Sequence, residues 1–260
     1  MAMEYAVISA PAAPVRRKPD HRREMINQLL FGELVQVLKN RNNQWYKIRS
    51  LHDGYEGWLT GTLLTAVDKK ATRLPRQFLT AGLLEPVRVG ERVLQVPAGS
   101  SLPGWKNGSG MLGKEEIHFS GEVIDSGKPS QDTAELTRLA LSWLHAPYLW
   151  GGRTPLGVDC SGFTQVIFRQ LGIALPRDAW QQAGEGKRVK KFSEAKAGDL
   201  LFFHKKKRIV HVGIHLGDGR MIHASGRVRI DLVDQHGVTD PQTGKRMFSL
   251  RTIRRVGQLA

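Results

Sequence analysis

The chain has a single cysteine, Cys160. That scarcity excludes an intramolecular disulfide and any multi-cysteine metal site, so the thiol is left to packing or to chemistry. Other absences narrow the class. No apolar run approaches the ~18 residues of a membrane-spanning helix, so no membrane span is expected. Residues 1–11 lack a basic region followed by a sustained apolar segment and do not read as a secretory signal. A cytoplasmic protein is expected, with a periplasmic or secreted one as the alternative if a leader has been removed. The nine histidines form no His-Glu-x-x-His and no Cys/His cluster, so no metal is expected. There is no strong internal repeat and no low-complexity segment.

Acidic residues are outnumbered: 39 Lys and Arg stand against 24 Asp and Glu, for a net charge of +15. The basic runs, among them Arg16-Arg17-Lys18 and Lys205-Lys206-Lys207-Arg208, lie in separate turns. Most lack the aromatic neighbours that stacking on bases requires. Solvated loops explain them, and no nucleic-acid partner is expected. A length of 260 residues allows two or three small domains. Linkers are predicted around 66–72 and 125–130.

What surrounds Cys160 argues for chemistry. Residues 146–159 carry two prolines and three glycines with no helical period, so they read as a loop. After Cys160, the residues Phe163, Val166, Ile167 and Leu171 fall on one helical stripe, and Gly172 supplies a stop. Cys160 is thus predicted at the first turn of a helix, where unpaired N–H groups favour a thiolate. With a histidine partner, such placement lowers a thiol pKa to ~3.5–7.5, and rapid alkylation below pH 7 is expected. A small cysteine that merely packs is the plain alternative.

Residues 209–216 alternate: Val210, Val212, Ile214 and Leu216 share one face, and His211, Gly213 and His215 the other. Gly213 leaves space beside His211 for a substrate or the thiol. The turn Gly217-Asp218-Gly219-Arg220 predicts a hairpin into Met221-Ile222-His223-Ala224. The hairpin puts His211 and His223 on neighbouring strands. Cys160, His211 and His223 then have the composition of a nucleophile, its base and an orienting group. Upstream, residues 132–144 predict a helix with Leu136, Leu139, Ala140 and Trp143 as its apolar stripe and Ser130 or Asp132 as its cap.

Several segments together resemble the NlpC-type cysteine peptidases, a papain-like family that cuts bacterial cell-wall peptides. They are Pro147-Tyr148-Leu149-Trp150-Gly151-Gly152, Asp159-Cys160-Ser161-Gly162-Phe163, Leu175-Pro176-Arg177-Asp178, the run 197–203, His211-Val212-Gly213-Ile214 and Ile222-His223-Ala224. The resemblance implies Cys160 as nucleophile, His211 as base and His223 as orienter, with the Tyr148 hydroxyl near the oxyanion. In the N-terminal half, the short strands around 30–38, 45–49 and 55–59 resemble a bacterial SH3-like barrel, and a second β-rich stretch follows. Two such modules ahead of the peptidase resemble the YkfC-like γ-D-glutamyl-diamino acid endopeptidases.

The expected fold is therefore α+β: a papain-like NlpC-type catalytic domain at 130–260, preceded by two small all-β SH3-like barrels at 1–67 and 72–126. The subgroup implies that the first barrel closes one end of the cleft and admits peptides with a free N-terminal L-Ala. Asp159, Ser161, Asp178 and Trp150, with Glu33 and Tyr55 from the first barrel, are the implied substrate contacts. Where the subgroup often has a serine beside Asp178, this chain has Ala179. The expected substrate is a murein tripeptide or related wall peptide, the expected state a monomer, and no cofactor is implied. The rivals are a secreted hydrolase of polymeric peptidoglycan, an acyltransferase using the same thioester, and a non-catalytic wall-binding protein.

Overall fold

The computed structural model describes residues 3–74, 77–240 and 242–257. The chain divides into two compact units, 1–127 with 150–155, and 128–149 with 156–260.

Alternating apolar residues and glycine-bounded turns make the first unit almost wholly β. The strands β1 (Tyr5–Ile8), β2 (Ala12–Arg16), β3 (Met25–Leu30), β4 (Leu34–Arg41), β5 (Trp45–Ser50), β6 (Glu56–Thr60) and β7 (Leu64–Val67) form one sheet in the order β3-β2-β6-β5-β4-β1-β7. Alternate side chains, Ala6 and Ile8, Ala13 and Val15, Tyr46 and Ile48, meet in its core. Burying each large apolar side chain stabilises by about 1.5–3 kcal/mol.

The next strands are β8 (Phe78–Thr80), β9 (Leu84–Val89), β10 (Arg92–Pro97), β11 (Ser109–Leu112), β12 (Glu115–His118) and β13 (Val123–Asp125). Four form a sheet ordered β10-β9-β12-β11, and β8 pairs with β13. Val7, Phe31 and Leu34 of the first sheet pack in one cluster with Val87, Val89, Val96, Leu112 and Ile117. Gly32 sits at this junction with a φ of +74°, and a Cβ there would collide with the Ser101 carbonyl. The two stretches expected as modules 1–67 and 72–126 are packed as one unit.

That unit also takes in 150–155, from the loop ahead of Cys160. Two short strands, β14 (Arg153–Thr154) and β15 (Gly157–Val158), lie in this loop. The Arg153 side chain is fully buried and donates to both Glu33 carboxylate oxygens at 3.0 Å. Its Nη1 also donates to the Gln28 carbonyl at 3.0 Å, and its backbone N–H to Gln28 Oε1 at 2.8 Å. Burial alone would raise the carboxyl of nearby Asp53, but the charges of Arg153 and His52 outweigh it and hold it below its ordinary value. Gly151 has a φ of +78°, and a Cβ there would stand 2.8 Å from the Met25 carbonyl oxygen. A guanidinium and a carboxylate removed from water each need a partner, and here they find it across 120 residues of sequence.

In the second unit, α1 (Thr133–Ser142) buries Leu136, Leu139 and Ala140. Asp132 caps it, accepting from the Ala134 N–H at 2.7 Å, while Ser130 Oγ accepts from the Asp132 N–H at 3.2 Å. The helix α2 (Cys160–Gln170) is buried along its whole length. The amphipathic stripe expected there is a helix enclosed on all sides, and its polar residues are paired inside: Thr164 Oγ1 donates to Gln182 Oε1 at 2.8 Å, and Gln165 Nε2 to the Leu175 carbonyl at 3.0 Å. Gly172, with a φ of +76°, ends it in a Schellman motif, the N–H of Ile173 reaching back to the Phe168 carbonyl at 2.8 Å. A short helix, α3 (Ala179–Gln182), follows.

The rest is a sheet of β16 (Lys187–Val189), β17 (Leu200–Lys205), β18 (Arg208–Gly217), β19 (Arg220–Ser225), β20 (Arg227–Asp234), β21 (Gly237–Thr239) and β22 (Arg246–Arg255). Its order is β16-β22-β17-β18-β19-β20-β21, and a further pairing of β21 with β22 closes the strands from β17 to β22 into a ring. The β18–β19 hairpin turns at Asp218 and Gly219, both at positive φ, as a tight primed turn demands. One face of α2 packs on β18 and β19. Among the described residues, no helix is long and apolar enough to cross a membrane.

Candidate active site

Asp159 is the N-cap of α2, its Oδ1 accepting from the Gly162 N–H at 2.7 Å, and Cys160 is the first residue of the helix. The Cys160 thiol is 7% exposed. Burial pushes it up to about 12, and the Asp159 carboxylate adds to the rise. Hydrogen bonds from the Val212 and Ser161 backbones and the charge of Arg177 pull the other way without reversing it. The depressed thiol expected from the helix start is therefore not what the fold produces at rest. A helix terminus is worth about 0.3–2 kcal/mol to an anion, and removing an ion from water costs several.

Val212 is the residue after His211, so its contact with the thiol brings β18 to the nucleophile. The His211 ring stacks on Phe248 at 4.3 Å and tilts against Phe203 at 5.9 Å. Burial holds its pKa well below the ordinary histidine value, and His223 adds to that. Burial thus disfavours the charged form of both thiol and imidazole. His211 Nε2 lies 2.7 Å from Nδ1 of His223, so Nδ1 of His211 takes no part in that contact. Gly213 does not open a substrate space, contrary to its reading from sequence. A Cβ there would meet Met221 Sδ at 2.5 Å and His223 Cβ at 3.0 Å, so the missing side chain makes room for the orienting residue itself.

Behind His223 stands a residue that the sequence reading missed. Nε2 of fully buried His223 lies 2.9 Å from Oδ2 of Asp231, on β20. Arg229 donates to the other Asp231 oxygen through Nε at 2.9 Å. Burial alone would raise this carboxyl, but hydrogen bonds from His223 and Arg229 outweigh it and hold it below its usual range. Arg229 and Asp231 alternate along the strand after His223, but what brings Asp231 to His223 is a register that sets His223 opposite Arg229.

Tyr148 is half-buried, with its N–H on the Gly226 carbonyl at 3.0 Å. Burial, then the charges of Cys160 and Asp159, push its phenol well above the ordinary value, so it stays protonated and can donate. A second missed residue, Arg177, holds the nucleophile's flanks. It donates to Asp159 Oδ1 at 3.0 Å, Asp159 Oδ2 at 2.7 Å and Ser161 Oγ at 2.9 Å, all buried. Asp178 is the N-cap of α3, its N–H donating to Gln181 Oε1 at 3.1 Å. The remaining implied contacts lie in the first unit. Glu33 is 2% exposed, bound by Arg153 and the Leu30 N–H. The Tyr55 N–H donates to Asp53 Oδ1 at 3.1 Å, and Trp150 Nε1 to Glu24 Oε1 at 3.0 Å.

These shifts set a pH profile. A base must be neutral to accept a proton, and His211 titrates below the usual 6.5, so the acid limb of kcat/KM should have its midpoint below pH 6.5. Cys160 and Tyr148 are shifted upward, so neither should cause an alkaline loss between pH 7 and 10. An acid midpoint above 6.5 would contradict the buried, neutral imidazole.

A buried thiol at a helix start, with an imidazole chain on the strands that pack against that helix, has the composition of a cysteine peptidase site. Residues 145–247 match the NlpC/P60 family, and residues 15–64 match the bacterial dipeptidyl-peptidase Sh3 domain. The chain is 34% identical over 220 residues to the gamma-D-glutamyl-L-lysine dipeptidyl-peptidase of Bacillus subtilis (strain 168), covering 76% of this chain and 71% of that protein. It is 27% identical over 261 residues to dipeptidyl-peptidase 6 of Lysinibacillus sphaericus, covering 88% and 92%. The crystal structure of an NlpC/P60 family protein from Bacillus cereus ATCC 10987 shares the fold, with a TM-score of 0.82 at 22% identity over 98% of this chain and all of that one. The chain belongs to the NlpC/P60 family of cysteine peptidases and carries a bacterial SH3 domain ahead of the catalytic one.

Proposed function

We propose that this enzyme hydrolyses the γ-D-glutamyl bond to a diamino acid in murein peptides that bear a free N-terminal L-Ala. The observation that carries the reading is the Cys160 thiol at the start of α2, tied to His211 through Val212. The likeness to proteins named gamma-D-glutamyl-L-lysine dipeptidyl-peptidase supports the choice of bond.

In this reading the thiol attacks the glutamyl carbonyl as its proton passes to Nδ1 of His211. The developing oxyanion is met by the Cys160 N–H and the Tyr148 hydroxyl, whose upward shift keeps it protonated and able to donate. His211 returns the proton to the leaving amine, and a thioester remains. Water, deprotonated by His211, then releases the dipeptide. Side chains and water supply every proton and electron pair, so the reaction calls for no cofactor. Asp159 takes the substrate ammonium, sharing its carboxylate with buried Arg177, which the several lone pairs of a carboxylate allow. Ser161 and Asp178 complete the contacts within the catalytic unit, and the stretch after β7 acts as a second SH3-like module.

The test is a pair of defined substrates read by mass spectrometry. Free L-Ala-γ-D-Glu-diamino acid peptides should be cut to the L-Ala-γ-D-Glu dipeptide, and the same peptides with the alanine nitrogen acylated should be rejected. An acylated nitrogen carries no charge to match a desolvated carboxylate, a loss that makes polar sites discriminate strongly. Equal rates on both would defeat the selection and make the enzyme a hydrolase of polymeric peptidoglycan.

A further inference from the structure

We infer that Asp231, held by Arg229, is a positioning residue that fixes the protonation pattern of both active-site histidines and so makes Nδ1 of His211 the basic nitrogen. The inference rests on the thiol mechanism above and extends it by two residues.

The argument is an inventory of protons. Arg229 is a permanent cation and can only donate. It donates to Asp231 Oδ1 through Nε at 2.9 Å, and its Nη2 lies 2.8 Å from the same oxygen. The other oxygen, Oδ2, faces His223 Nε2 at 2.9 Å, in a site where Asp231 is 2% exposed and His223 fully buried. A carboxylate accepts, so His223 Nε2 must carry its hydrogen. A neutral imidazole has one N–H, so His223 Nδ1 is a bare acceptor. It lies 2.7 Å from His211 Nε2, which must therefore be the donor. That leaves the lone pair of neutral His211 on Nδ1. Each assignment follows from the one before it, and the series starts at the guanidinium. Burial, which keeps both rings neutral, is what makes the series single-valued.

The pattern also serves the transition state. When Nδ1 takes the thiol proton, His211 becomes an imidazolium whose Nε2–H already points at an acceptor. That acceptor is polarised by Asp231 through the second ring. The charged groups around this chain are Arg229 and, 3.7 Å from the Arg229 guanidinium, Asp240. Both lie on the Asp231 side and neither contacts the His211 ring.

The sharp test is Asp231→Asn. Its amide has one oxygen and one NH2, and Arg229 claims the oxygen. The NH2 then faces His223 Nε2 and forces the hydrogen to Nδ1. The pattern reverses, and His211 presents an N–H to the thiol. With a peptide that the wild type cuts, kcat should fall by up to ~10⁴-fold, the loss when a triad carboxylate is converted to amide, with KM within about threefold. Asp231→Ala should lose less, because water can satisfy either pattern. In Asp231→Asn/Arg229→Met the amide is free to turn, and part of the activity should return.

Equal losses in Asp231→Asn and Asp231→Ala, or no recovery in the double variant, would overturn the inference and leave Asp231 a packing residue. Should the variants not fold, the wild type answers directly. The ring-nitrogen NMR of ¹⁵N-histidine-labelled protein at pH 7.5 should show Nδ1 unprotonated in both His211 and His223, and a protonated Nδ1 in either overturns it. Failure here is separable from failure of the thiol mechanism, because only the latter would leave Cys160→Ala active.

Discussion

Cys160→Ala should abolish hydrolysis of γ-D-glutamyl peptides, by about 10⁶-fold in kcat if the thiol and imidazole act as a unit, while the fold survives. Cys160 carries the chain's single thiol, and in the proposed mechanism its sulfur forms the acyl intermediate. Removing one buried sulfur leaves a small cavity, a cost of about 1 kcal/mol, and the α2 cap on Gly162 is untouched. The wild-type thiol should react slowly with iodoacetamide at pH 7 and faster as pH rises, because burial shifts it to about 12 and only the thiolate is nucleophilic. Turnover by Cys160→Ala, measured by mass spectrometry over hours, would end the thiol mechanism. Fast alkylation of the free enzyme below pH 7 would instead mean that the helix start overcomes desolvation.

The second large effect belongs to Arg177, whose side chain is 1% exposed and which binds both oxygens of Asp159. Arg177→Met keeps most of the volume and strands the Asp159 carboxylate beside the nucleophile. Breaking a buried pair from one side costs about 3–5 kcal/mol, and the urea unfolding midpoint should fall accordingly. Activity should fall with it, since an uncompensated carboxylate next to Cys160 opposes formation of the thiolate. Arg177→Lys should recover little, because a point charge cannot reproduce the two-pronged grip. An unfolding free energy within about 0.5 kcal/mol of wild type in Arg177→Met would show that Asp159 finds other partners.

The helix after Cys160 and the hairpin carrying His211 and His223 were legible because both rest on local rules. A stop at Gly172 and an Asp-Gly turn need only neighbouring residues to read. The chain beyond His223 was not. Asp231 is eight residues on, and its contact depends on strand register, which no short motif records. Arg177 sat inside a recognised segment, but its partner, 18 residues upstream, did not show itself. The thiol's resting state was misjudged because helix position is written in sequence and depth of burial is not. Gly213 was read as open space because a missing side chain looks the same whether a substrate or Met221 fills the gap.

The placement of 150–155 with the N-terminal unit bears on where the chain can be divided. Swapping a peptidase module between proteins at its sequence boundary, near residue 130, would carry away Arg153 and leave behind Glu33 and Gln28, to which it is bonded. One fragment would hold an orphaned cation and the other an orphaned anion. Dividing the chain there would therefore cost both fragments stability, about 3–5 kcal/mol where a buried pair is broken from one side.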